Sequence, residues 1–368
     1  MWRLVTLILS GSWAENTTKN FHVDVNMSAD NSCSDILVPL RNLCNAIKCI
    51  RDRVKDGESS ECNAEFNMAT FWNTLLQAVK ATSQEATKLS LAFSKPPLPS
   101  SQDAERLADS IQKAVLALST VYYWLPKTQG VILRRAVRDA TADVLDGMAQ
   151  LLDIILSSPV QSLSQEQLMS TGGVWASCDH FEQLPRDNRA AVLGVLSSYQ
   201  GVVKDAIEEM EQAQAESQDP FGDLLDDEDL DARGNRDTYW SEADRRLMAP
   251  CQGLMKASAA CLKKLSTAIK NNGKADTPDN IAQLDDLADI THDISPSVDD
   301  LALSLYPPMD HTAVELNASK LATVLKKVLE IIKATHVCVE ADLTWVQFLD
   351  GAVEHNLQKA RRAAEGSN

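Results

Sequence analysis

Apolar side chains recur at helical spacing through almost the whole chain. Leu107, Ile111, Ala114, Leu118, Val121 and Leu125 step by three and four, which puts them on one face of a helix. Cys251, Leu254, Ala257, Cys261, Leu265 and Ala268 repeat the pattern, as do Val314, Leu321, Val324, Val328, Ile331 and Ile332. No run alternates apolar and polar residues as a half-buried strand does. With 14 Gly and 13 Pro in 368 residues, few positions interrupt long elements. The expected fold class is all-α.

Helices are expected near 33–55, 65–94, 102–125, 130–157, 173–183, 187–216, 241–271, 279–294, 297–305, 312–335 and 341–364. Their ends carry punctuation. SKPPLPSSQDAE closes one helix and caps the next, because a residue before Pro avoids the α region and Ser or Asp accepts free amides. Ser241-Glu242-Ala243-Asp244 has the form of a capping box. Pro126 and Pro159 stop helices, and Ser295-Pro296 is read as a break with a new start at Ser297.

One stretch departs from the periodicity. From Asp205 to Asp231 there are twelve acids and no Lys or Arg. Like charges repel and little apolar area can be buried, so the expectation is a flexible linker. The organisation expected is therefore an N-terminal extension at 1–32 without fixed structure, an N-terminal helical bundle at 33–216, an acidic linker at 217–238 and a C-terminal helical bundle at 239–368, both bundles antiparallel.

Charge and cysteines exclude some function classes. The net charge of −17 disfavours nucleic acid and anionic membranes, since phosphate binding needs clustered Lys and Arg. The eight cysteines (33, 44, 49, 62, 178, 251, 261 and 338) include no CxxC pair, which leaves zinc ribbons and redox motifs unsupported. Their scatter fits reduced, semi-buried thiols. The N-terminus pulls the other way: MWRLVTLILSGSWA has a weak signal-peptide pattern, and sequons stand at Asn16, Asn26 and Asn317. The run Leu4–Leu9 is short for a signal core, and Met27 opens a plausible soluble start. Residues 1–26 are read as an upstream extension outside the fold.

The stretch LDDLADITHD (284–293) raises an enzyme reading. Asp285, Asp286 and Asp289 spell DDxxD, a spacing that can hold Mg²⁺ against a diphosphate. Such a site also needs basic clamps, and Lys274 is the sole Lys or Arg between Gly273 and Lys320. Asp285, Asp289, His292 and Asp293 share one helical face and Ile281, Leu284, Leu287, Ala288, Thr291 and Ile294 lie mostly on another, so the favoured reading is a solvated acidic stripe. No HExxH, G-x-S-x-G, Walker or Rossmann sequence occurs. No catalytic residue, metal ligand or cofactor is assigned.

Short partner motifs are also present. Arg245-Arg246-Leu247 has the form of the RxL peptide that docks on cyclins, and His336-Val337-Cys338-Val339-Glu340 falls one residue short of LxCxE. The residues named for partner contact are Arg245, Leu247, Asp285, Asp289 and Asp293. Ser158, Thr277 and Ser295 each precede Pro and are candidate phosphorylation sites.

Longer segments are more specific. VYYWLPKTQGVILRRAVRDATADVLDGMAQL (121–151), LPRDNRAAVL (184–193), YWSEAD (239–244) and QLDDLADITHDISPSVDDLALSLYPPM (283–309) resemble the cyclin-D-binding protein family, also called GCIP or HHM. FWNTLLQAVKATSQEATKLSLAFSKPPLPS (71–100) resembles it too, and the likeness spans roughly residues 61–335. The resemblance implies a non-enzymatic regulator that binds D-type cyclins, the Grap adaptor and helix-loop-helix factors. It implies negative regulation of the cell cycle and of retinoblastoma-controlled transcription, a nuclear and cytoplasmic location, and bundles similar to those of talin and vinculin. The alternatives are a talin-like adaptor and, less favoured, a Mg²⁺-dependent diphosphate enzyme.

Overall fold

The computed structural model describes residues 30–57, 66–158, 164–216 and 240–365. The extension at 1–26, Cys62, the sequons at Asn16 and Asn26 and the acidic stretch 217–238 lie outside the described residues, as does the Cys33 side chain. Among the described residues every regular element is helical. In chain order these are α1 (Asp30–Asp56), α2 (Met68–Ala92), α3 (Ser101–Trp124), α4 (Val131–Ser157), α5 (Gln165–Asp179), α6 (Asn188–Glu216), α7 (Glu242–Asn272), α8 (Pro278–Thr291), α9 (Ile294–Ser304), α10 (His311–Lys333) and α11 (Leu343–Glu365).

The chain divides into two compact units. Among the described residues, the first comprises those up to Lys127 together with Arg134–Leu184, and the second comprises Thr128–Leu133 and those from Pro185 onward. The first unit is an antiparallel bundle. Lys48 pairs with Asp153 at 2.8 Å and Lys55 with Asp146 at 2.8 Å, so α1 and α4 run in opposite directions. Its core holds Leu75, Leu89, Ile111, Leu118, Tyr122, Leu145 and Leu152. Arg134 is buried there, 4.7 Å over the Tyr122 ring, and donates to the Leu125 carbonyl.

The second unit is also antiparallel. Arg189 donates to the Ile269 carbonyl while Lys256 pairs with Glu211, which sets α6 against α7. Lys326–Glu354 and Glu315–Arg361 do the same for α10 and α11. All six residues of the 251–268 face are buried, as the spacing requires. The capping box forms: the Ser241 hydroxyl accepts from the Asp244 amide and the Asp244 carboxylate accepts from the Ser241 amide.

Three expectations differ from the structure. The sequence places α6 in the N-terminal bundle because it precedes the acidic stretch. Its buried residues Val192, Leu196 and Val203 instead belong to the second unit, so the units divide after Leu184. The helix expected at 173–183 starts at Gln165 and ends at Asp179, followed by a 3₁₀ turn at His180–Glu182. Ser295-Pro296 is no break: α9 begins at Ile294, and Pro296 sits in the first turn, where the amide it lacks has no helical partner.

Candidate partner-binding surface

The acidic stretch 284–293 lies on α8, and its carboxylates do different things. Ile281, Leu284, Leu287 and Ala288 are buried, and so is Asp285. The Asp285 carboxylate accepts hydrogen bonds from the backbone amides of Val131 (2.7 Å) and Ile132 (3.1 Å) and from Asn188 Nδ2 (2.9 Å). Asn188 Oδ1 accepts from the Leu133 amide at 3.0 Å. These are the first amides of α4, which have no intrahelical acceptor. Gly130 precedes them with φ +113°, so the usual N-cap side chain is missing, and a Cβ at Gly130 would collide with Asn188. Asp285 from α8 and Asn188 from α6 supply the cap instead, and the carboxylate also meets the positive end of the helix dipole.

Asp285 therefore does not belong to a solvated stripe, and it is not presented to a partner. Asp286, Asp289 and Asp293 are exposed, and His292 Nδ1 lies 3.5 Å from Asp293. Among the described residues no group of three or more His, Cys, Asp or Glu side chains converges as a metal site.

The RxL triplet is split by the helix that carries it. Residues two apart project on nearly opposite sides. Arg245 is exposed and Leu247 is fully buried, so the leucine is core and is not offered to a groove. His336 of the near-LxCxE segment is held in a turn. Its Nε2 accepts from the Lys274 amide at 3.1 Å, and its own amide and Nδ1 both reach Gln283 Oε1 at 2.8 Å. Burial holds the His336 imidazolium below its usual range. Asn317 of the third sequon is inside α10 and donates its amide to the Asp300 carbonyl at 3.1 Å. Cys178, Cys251 and Cys261 are free thiols pushed up to about 12 by burial, which leaves them unreactive.

The surface that sequence reading missed is α5, which is built the wrong way round for a bundle helix. Its buried face is polar, made of Gln167, Ser170 and Thr171 beside Val174 and Cys178. Gln167 Nε2 donates to the Ser90 carbonyl at 2.9 Å, and Thr171 Oγ1 bonds Ser90 Oγ at 2.9 Å. Its outer face carries Leu168 (54% exposed), Met169 (68%) and Trp175 (43%). Leu91, next to Ser90, is 67% exposed on α2, the helix that packs against α5. Trp175 is steadied by its Nε1, which donates to Thr87 Oγ1 at 3.0 Å. Gly172 and Gly173, with open space around them, leave the middle of this face low. Leu303, Leu316 and Phe348 are also strongly exposed and stand on three different helices. A clustered apolar face with a fixed Trp is the type of surface that protein partners cover.

Residues 74–216 match the family model described as Grap2 and cyclin-D-interacting, N-terminal, and residues 225–330 match its C-terminal counterpart. The chain belongs to the Grap2 and cyclin-D-interacting family. A zebrafish (Danio rerio) member, the cyclin-D1-binding protein 1 homolog, is 65% identical over 91% of this chain and 98% of its own length. The Xenopus laevis homolog is 59% identical over 89% of this chain and 99% of its own, and human cyclin-D1-binding protein 1 is 44% identical over 89% and 94%. The family boundary after residue 216 places α6 with the N-terminal segment, whereas its packing places it in the second unit.

Proposed function

We propose that this chain is a non-catalytic interaction protein that binds a D-type cyclin, with the outer face of α5 as the contact. The observation that carries the reading is the similarity over nearly full length to relatives named for binding cyclin D1. The face formed by Leu168, Met169, Trp175 and Leu91 supports it, because exposed apolar area in a cluster gains free energy when a partner removes it from water. Binding would act by occlusion, covering a cyclin surface and so restraining cyclin-dependent phosphorylation of the retinoblastoma protein. On this reading the protein is a negative regulator of cell-cycle progression and of retinoblastoma-controlled transcription, in nucleus and cytoplasm.

Helix-loop-helix factors and a Grap-type adaptor are proposed as further partners. The family description supports the adaptor. Helices α7 and α10 bury their apolar faces inside the second unit, which favours capture of a helix-loop-helix factor on the outer surface over pairing through these two helices. Titration of the full chain with a purified D-type cyclin in a calorimeter tests the central reading. Saturable binding that Leu168→Asp weakens is expected. Absence of heat and of co-elution would remove cyclin binding, and binding untouched by Leu168→Asp would remove α5.

A further inference from the structure

Three Ser/Thr-Pro pairs are present in the sequence, and the structure separates them. Ser295 is 8% exposed and lies inside α9, where its side chain is enclosed. Ser158 is exposed, but its amide still closes a helical bond to the Ile154 carbonyl at 3.2 Å. Thr277 is exposed and extended, with φ −126° and ψ 152°, at the end of the Gly273–Asp276 connection. Pro278 follows as the first residue of α8 and has no amide to free. The first turn is held by few bonds: Asn280 N to Thr277 Oγ1 (3.2 Å), Asn280 Nδ2 to Asp276 (2.8 Å) and Ile281 N to the Thr277 carbonyl (3.0 Å). Thr277 Oγ1 accepts in this cap, so its own proton is not the one the cap uses.

We propose that Thr277 is the phosphoacceptor of the folded chain for a proline-directed protein kinase with ATP as donor. A kinase seats its acceptor as an accessible, non-helical segment, which Thr277 already provides and Ser295 does not. In the transfer, Thr277 Oγ1 bonds to the γ-phosphorus of ATP as the bond to the β-phosphate bridging oxygen breaks. ADP leaves, and the hydroxyl proton passes to the kinase's catalytic carboxylate. The product carries a charge of about −1.5 to −2 at the N-terminus of α8. The helix amides there favour an anion, and the exposed Lys274 is three residues away to pair with it; Asp276 and Asp279 oppose it. The modification thus adds a charged patch at the start of the helix whose Asp285 caps α4.

The proposal rests on local geometry and not on cyclin binding, so the test uses a kinase that works without a cyclin. Full-length protein is incubated with Mg·ATP and a recombinant mitogen-activated protein kinase, and site occupancy is followed by mass spectrometry. Thr277 is expected to incorporate phosphate at least tenfold faster than Ser295 in the native chain. In a tryptic digest one peptide, 275–320, carries both residues, and there Ser295 becomes a substrate as well, the two sites being told apart by fragmentation. Thr277→Ala removes the signal, and Thr277→Ser, which keeps both the hydroxyl and the cap, retains it. No incorporation at Thr277 in the native chain, or labelling of Ser295 at an equal rate, overturns the proposal.

Discussion

Helices α5 and α8 are nearly equal in length and opposite in construction. α8 turns Leu284, Leu287 and Ala288 inward and takes a carboxylate in with them, every oxygen of which is used. α5 turns Gln167, Ser170 and Thr171 inward and leaves Leu168, Met169 and Trp175 in water. The difference separates structure from function in this molecule. A buried polar group that is fully hydrogen-bonded holds the fold, while an exposed apolar cluster contributes nothing to the fold that a polar surface would not. The stretch that looked most chemical, LDDLADITHD, holds the structure, and a helix without strong periodicity carries the surface a partner can use.

The largest effects are expected where α8 and its neighbours are cut into. Leu247→Ala removes a fully buried side chain and should destabilise by about 2–5 kcal/mol, whereas Arg245→Ala should stay within about 0.5 kcal/mol. Urea unfolding of both variants measures the contrast, and equal effects would return the triplet to the surface. Asp285→Ala leaves two amides of α4 without an acceptor and takes from Asn188 Nδ2 the shorter of its two bonds, the other reaching the Ile281 carbonyl at 3.5 Å. A loss of about 3 kcal/mol is expected from buried donors at roughly 1–3 kcal/mol each. Gly130→Ala should be comparably harmful, since it combines a positive φ with a collision against Asn188. Neither change should weaken cyclin binding per folded molecule, and selective loss of binding with normal stability would break the assignment of Asp285 to structure.

On α5 the expectation reverses. Leu168→Asp or Trp175→Ala should change the unfolding midpoint little, within about 0.5 kcal/mol for a surface position. Each should lower affinity for a D-type cyclin by about tenfold or more, the effect of removing an interface anchor worth about 1.4 kcal/mol.

The smallest effect concerns pH. His336 is kept neutral in the fold by burial, with Nε2 accepting from the Lys274 amide. Its folded value lies below the unfolded value of about 6.5, so the unfolded chain takes up the proton first. That contribution is whole above about pH 6.5 and is lost as pH falls through the folded value. His336→Asn should flatten the drop in urea midpoint between pH 7.5 and 5.5, and an unchanged slope would show that this turn plays no part.

The helical fold was legible in the sequence because apolar spacing is set by the period of the helix itself. The faces of α7 and α10 and the Ser241–Asp244 box needed no tertiary information. The trans cap was not legible, because Gly130, Asn188 and Asp285 are far apart in the chain and meet only on folding. A Gly before a helix with no capping residue of its own was the single hint. α5 was misplaced for a related reason. Gly172-Gly173 has low helix propensity, and polar residues on the inner face remove the periodic signal that marks a helix. The division after Leu184 was hidden because α6 chooses its partners by packing, while the acidic stretch that follows it is only a change in composition.

Hydrogen exchange of the full chain, alone and saturated with a purified D-type cyclin, tests the central claim most directly. Slowed exchange is expected in peptides covering α5 and the end of α2 around Leu91, with α8 unchanged. Protection in α7 or α8 with α5 unaltered would contradict it.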